Sequence, residues 1–226
     1  MPTRAKHPGA AQFVPSASDL GHLAQAATGC TGCDLYENAT QVVFGRGPQT
    51  ARLVFVGEQP GDVEDTEGAP FVGPAGGVLD RALRDSGIER GDTYVTNAVK
   101  HFRWKAVRGS KRRIHEKPSA GQSTACRPWL AAELAAVRPH LVVALGATAA
   151  GSLFGASFRL TQHRGEALSW PPETGDFAGL AGSELGIEHG LATIHPSAVL
   201  RAEPDERQAA YDGLVADLQV ARELLG

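Results

Sequence analysis

The sequence predicts an α/β fold: a single three-layer α/β/α domain around a central, mainly parallel four-stranded sheet. Three observations predict it. Four short apolar or β-branched runs have strand length: "ARLVFVGE" (51–58), "TYVTNAV" (93–99), "HLVVALG" (140–146) and "LATIH" (191–195). Helical stretches separate them, and that alternation gives a parallel sheet covered on both faces. Chemistry-bearing residues gather where the runs end, at Gly57 to Gly61, Asn97 to His101, Gly146 and His195 to Ser197. In such sheets ligands bind beyond the carboxyl ends of the strands.

Residues 1–15 read as a flexible N-terminal tail, with no apolar core of signal-peptide length. The domain is expected over 16–226. Ser18 can cap a first helix, "DLGHLAQAAT", which stops at Gly29. The first strand runs into a glycine-bearing turn. "PAGGVLDRALRDSG" then reads as a helix with Pro74 near its start and Gly87 at its end. After the second strand comes a polar, basic loop insertion at about 102–118. "STACRPWLAAELAAV" is a helix whose pattern ends at Pro139. The third strand leads into a short helix, "ATAAGSLFG", and the last helix runs from about Pro204 to Leu225.

The chain has 226 residues, 42% of them hydrophobic, and no run of eighteen apolar residues that would cross a membrane. A cytoplasmic monomer is expected. Three cysteines are an odd count, and a disulfide framework is not expected in that compartment. The formal net charge is −3, yet eight Lys or Arg face one acid, Glu116, between Lys100 and Lys117. That window carries +7 and the remainder −10. Such asymmetry points to a local anionic partner, although a solvated charge run would look the same. At its centre lies "GSKRRIHEKPS", with Lys111, Arg112 and Arg113 followed two positions on by His115.

"CTGC" places Cys30 and Cys33 at metal-ligand spacing, and Cys126 stands alone. A soft-metal site needs a fourth ligand, which His101 or His140 could supply. Three thiolates and an imidazole suit zinc, and some iron–sulfur clusters also accept histidine. Ordinary buried thiols are the competing reading. "GEQPGDVEDTEGAPFVGPAGGVLDRAL" lets backbone approach a ligand closely, but it is neither a dinucleotide fingerprint nor a P-loop. Phe71 within it is either core or one wall of a flat pocket. Asn97 ends a strand, where a buried amide can read a donor–acceptor edge. His195 ends another.

Taken together, "GEQPGDVEDTEGAPFVGPAGGVLD", "YVTNAVKH", "CRPWL" before "RPHLVVALGATA", and "HPSAVLR" resemble a uracil-DNA glycosylase of the iron–sulfur, family 4 type. The likeness spans about Cys30 to Leu225. The inserted "KRRIH" resembles the UdgX subgroup, whose members stay attached to their product. The resemblance implies a [4Fe–4S] cluster held by Cys30, Cys33 and Cys126. His101 stands where ordinary family 4 enzymes carry the third cysteine, and His140 is the runner-up ligand. It further implies that Asn97 hydrogen-bonds the uracil edge, Phe71 stacks on the base and His195 donates to uracil O2. Gln59 replaces a small residue of the family 4 motif and is expected to line the base pocket. "HPSAVLR" resembles the loop that enters the duplex, with Ser197 and Arg201 at the DNA and Leu200 or Arg201 as a wedge.

The implied partner is uracil-containing DNA, and the implied product is free uracil. A base must leave the stack before such an enzyme can act on it. Lys111, Arg112 and Arg113 would hold phosphates. His115, at the loop tip, would attack C1′ before water does, with Glu58 orienting the imidazole. The result would be a covalent, single-turnover product. An ordinary turnover glycosylase and a non-catalytic damage-binding protein are the alternatives.

Overall fold

The computed structural model describes residues 7–16, 19–110, 112–174, 177 and 185–226. Strands β1 (Leu53–Gly57) and β2 (Thr93–Asn97) pair in parallel, as do β1 and β5 (Leu141–Leu145), and β5 and β7 (His189–Thr193). A fifth strand that the sequence reading lacks, β6 (Leu168–Ser169), pairs antiparallel with the free edge of β7. The sheet order is β2-β1-β5-β7-β6. Two residues are too few to carry a period-2 signal, so β6 is defined by its partner and not by its own pattern. The parallel part has the four strands expected. β7 starts and ends two residues before "LATIH" does, because Ile194 and His195 leave the ladder to open a helix.

Side chains alternate across the sheet, as period 2 requires. Val54, Val56, Val142 and Ala144 face one apolar layer, with Leu130, Leu134 and Val137 of α4 (Ala120–Val137) and Leu153 of α5 (Ala147–Phe154). Leu53, Phe55, Leu141, Val143 and Leu145 face the other. There they meet Val78, Leu79 and Leu83 of α3 (Pro74–Asp85) and Leu214 and Leu218 of the C-terminal helix Arg207–Glu223. These are the three layers. A smaller third cluster lies to one side, formed by Leu23 of α1 (Leu20–Ala27), Phe44, Trp129 and all three cysteines.

Local details differ from expectation in physical ways. The cap of α1 is Asp19, whose carboxylate accepts from the His22 N–H; Ser18 lies outside the described residues. Residues 1–6 of the expected tail also lie outside them. Residues 9 to 13 are docked, not loose. Gly9 N donates to Gly32 O at 2.9 Å, Ala10 N donates to Ala125 O at 2.8 Å, and Ala10 is buried. Gly32 permits this, since a Cβ there would stand 2.9 Å from the Ala10 backbone. The basic insertion is a β-hairpin, β3 (Trp104–Ala106) with β4 (Arg113–His115), in which Trp104 faces His115. His115 therefore sits at the foot of the hairpin, not at its tip.

Part of the +7 window never reaches solvent. Lys100 is 1% exposed, paired with the fully buried Glu133, and bonded to Thr96 Oγ1 at 2.6 Å and Asn97 O at 2.7 Å. Glu133 also accepts from Tyr94 Oη and Thr96 Oγ1, both at 2.8 Å. A buried charge is tolerated only when paired and hydrogen-bonded in this way. The network ties α4 to the end of β2, where Asn97 must be held.

Candidate active site

A cavity of about 650 Å³ opens where β1, β2, β5 and β7 end. Glu58, Phe71, Asn97, His115, His195 and Arg201 are among its walls. Gly57 and Asn97 are register partners, so the strand pairing itself sets Asn97 opposite the first turn. The amide oxygen Oδ1 of Asn97 is buried and has no hydrogen-bond partner. An orphaned acceptor of this kind costs stability and calls for an external donor. Phe71 lies beside it with φ of 56°, a left-handed backbone rare outside glycine. Its carbonyl passes so close to Gly76 that a Cβ there would be 1.8 Å away.

Gly57 makes room for both groups. A Cβ at that position would stand 2.3 Å from Asn97 Oδ1 and 2.7 Å from Phe71 Cζ. Gly57→Ala is therefore expected to displace the amide and the ring together. Any reaction carried out in this cavity should slow by roughly 10²-fold, the cost of an ångström-scale misplacement, while the circular dichroism spectrum is retained.

His195 packs its ring on Phe71, centroids 5.9 Å apart at 29°. It caps the short helix Pro196–Arg201: Nδ1 accepts from Ser197 N at 3.1 Å and meets Ser197 Oγ at 2.7 Å. Accepting at Nδ1 leaves the proton on Nε2. Burial, reinforced by Arg201 and His115, lowers the His195 pKa to about 4, so the neutral tautomer holds at pH 7. Arg201 in turn donates to Ser197 Oγ at 2.8 Å. Ser197 and Arg201 were expected at the DNA, and here their first role is to set the His195 ring. Leu200, the alternative wedge, is exposed.

The hairpin is moored by two side chains. Gln59, expected to line the base pocket, is among the walls of the cavity, and its side-chain amide also reaches the hairpin. Its Nε2 donates to Arg103 O at 3.1 Å and Glu116 O at 3.0 Å, and its Oε1 accepts from Arg103 N at 3.0 Å. It clamps both legs of the hairpin. Arg113, expected on phosphate, is ion-paired with Asp62 and with the fully buried Asp65. Its guanidinium lies 5.4 Å from the Phe102 ring centre and 5.5 Å from that of Trp104. Two carboxylates neutralise it, so it anchors the hairpin and is spent as a phosphate ligand. Arg112 is exposed, and Lys111 lies outside the described residues.

So moored, His115 enters the cavity wall half-exposed, with Nε2 3.4 Å from Glu58 Oε1. Burial lowers its pKa, Glu58 opposes that, and Arg201 adds to it. Sequence reasoning missed Glu64. Its carboxylate accepts from Gly61 N at 3.1 Å and Gly73 N at 2.8 Å, joining the turn after β1 to the Phe71 loop. The available signal was its place three residues after Gly61, the N3 position of α2 (Asp62–Glu67).

Cys30, Cys33, Cys126 and His101 come from three separate segments and are all buried. Trp129 Nε1 donates to Cys30 Sγ at 3.2 Å and Lys100 N to Cys126 Sγ at 3.3 Å. Burial pushes the Cys126 thiol up to about 12, with Cys33 and Cys30 adding to it. Burial brings His101 down to about 4, which leaves a neutral imidazole. His140 is not part of this group. It stands at the opposite end of the sheet, with Glu188 and His189.

A doubly covered parallel sheet, whose strand ends enclose an aromatic wall, an unpartnered amide oxygen and a neutral imidazole, places this chain among α/β proteins with a cavity at the carboxyl ends of the strands. The chain belongs to the uracil DNA glycosylase superfamily, which residues 44–219 match. It is similar to the type-4 uracil-DNA glycosylase of Thermotoga maritima, 38% identical over 178 residues, covering 78% of this chain and 81% of the relative. It is likewise similar to that of Pyrobaculum aerophilum, 34% identical over 186 residues, covering 81% and 85%. The type-4 uracil-DNA glycosylase of Archaeoglobus fulgidus is 37% identical over 135 residues, covering 60% and 63%.

Proposed function

We propose that the chain excises uracil from DNA. The carrying observation is the buried, unpartnered Asn97 Oδ1 beside Phe71 and His195 in one cavity. A flipped uracil stacked on Phe71 offers its N3–H to that oxygen. Cytosine has no hydrogen on N3, so it would leave the acceptor buried and unpaired. The C1′–N1 bond breaks with its electron pair going to N1, and charge spreads onto O2. The Nε2–H of neutral His195 donates to that oxygen as charge develops, which lowers the barrier and not merely the binding energy. Water then captures the sugar cation, the ordinary turnover course that similarity to type-4 enzymes favours.

The moored hairpin favours a second course, that of the UdgX subgroup. His115 stands in the cavity wall as an imidazole with a lowered pKa, beside Glu58. Its free lone pair forms a bond to C1′ as the uracil bond breaks, and the ring's proton passes to Glu58 or to solvent. Exposed Arg201 in the cavity wall, and exposed Arg112 toward the tip of the hairpin, supply cations for phosphates.

Cys30, Cys33, Cys126 and His101 would hold the [4Fe–4S] cluster. Three thiols and one neutral imidazole in an apolar shell fit it as donors. When bound, it would supply iron–sulfur bonds that tie the segment after α1 to α4, and an iron–nitrogen bond to His101 just after β2.

One incubation tests both courses. The purified protein is mixed with a single-stranded oligonucleotide containing one uracil. Free uracil is measured, and the mixture is boiled and run on a denaturing gel. Absence of released uracil overturns the assignment. Release with a slow-migrating, boiling-resistant band supports capture by His115, and release without that band supports turnover.

A further inference from the structure

We propose that His140, Glu188 and His189 form a binding site for a divalent ion of the zinc type, separate from the thiol pocket and from the active site. These residues lie at the amino ends of β5 and β7, where Leu141 pairs with His189. The active-site cavity begins at Leu145, four residues along β5, about 13 Å away at roughly 3.3 Å per residue. Nothing in uracil excision uses this end of the sheet.

The ligand atoms of the three side chains lie within 4.8 Å of one another. His140 Nδ1 is 3.2 Å from Glu188 Oε1, and the two imidazoles meet edge to face with centroids 5.6 Å apart. Among the described residues no other set of three or more converges so closely. Two imidazoles and one carboxylate make the borderline donor set that zinc takes in three-ligand sites, with water in the fourth position.

The backbone holds this set in advance. Glu188 N and His189 N both donate to His140 O, at 3.0 and 3.2 Å, and His140 N donates to Arg52 O at 2.9 Å. The three Cα positions are thereby cross-linked through neighbouring strands. Backbone positions fixed in advance reduce the entropy lost on binding. The ion would clip β5 to β7 at the end opposite the catalytic one. It would bind the folded chain only and raise its stability by mass action.

The test uses the untagged protein with its iron content measured. Zinc chloride is titrated by equilibrium dialysis, and bound zinc is counted per chain. The wild type is expected to take up one zinc that Glu188→Gln and His189→Asn bind at least tenfold more weakly, with iron content and uracil excision unchanged. Zinc should also raise the melting temperature of the wild type and not that of Glu188→Gln. Glu188 is 64% exposed, so this variant keeps its fold. Equal uptake by wild type and both variants, or no uptake at 100-fold excess of zinc, overturns the proposal.

Discussion

His115→Ala is expected to abolish the boiling-resistant DNA adduct while uracil release continues, now with turnover. Bond cleavage depends on Asn97, Phe71 and His195, which the substitution leaves in place. Capture depends on the imidazole lone pair. Removing a ring that is 49% exposed opens a path for water to the same carbon. The hairpin should stay docked, because Gln59 and Arg113 hold it without help from His115. The adduct should also report on protonation. Burial lowers the His115 pKa below its ordinary 6.5, so the reactive neutral form already predominates at pH 7. Adduct yield is then flat through neutral pH and declines as pH falls through the lowered pKa. A crosslink that survives His115→Ala on the denaturing gel identifies another nucleophile and overturns this assignment.

His195→Ala is expected to lower the single-turnover excision rate by about 10²–10³-fold, the loss seen when one preorganised donor to a developing oxyanion is removed. DNA binding should change little, since the donor matters most when charge reaches O2. Ser197→Ala should cost less. It removes the hydroxyl contact at 2.7 Å but keeps the backbone N–H that also holds Nδ1. The pH profile separates this role from that of His115. With a pKa of about 4, His195 stays neutral through neutral and mildly acidic pH. Wild-type excision kinetics in His195→Ala would remove the ring from the mechanism.

The four parallel strands and α3, α4 and α5 were legible in the chain because their signals are local. Each is a run with its own period and its own stop, such as Gly87 or Pro139. The strand-end rule then placed Asn97 and His195 at one end of the sheet, and they meet there. Lys100 and Arg113 show the limit of counting charges. Both belong to the basic window, yet one is buried on Glu133 and the other is neutralised by Asp62 and Asp65. Charge in a sequence is a sum, and only contact decides which cations remain free to meet a phosphate.

Local pattern alone thus determined the layered α/β frame, the order of its elements and the residue types at the strand ends. These follow from side-chain periodicity, which each segment carries by itself. Tertiary structure alone decided that the basic insertion is a hairpin, that Gln59 clamps it, and that His115 faces Glu58 from its foot. It also decided that β6 caps the sheet edge and that His140 meets Glu188 and His189. Each of these is a pairing between distant residues. A two- or three-residue strand has too little periodicity of its own to announce its partner, and burial supplies the rest of the specification.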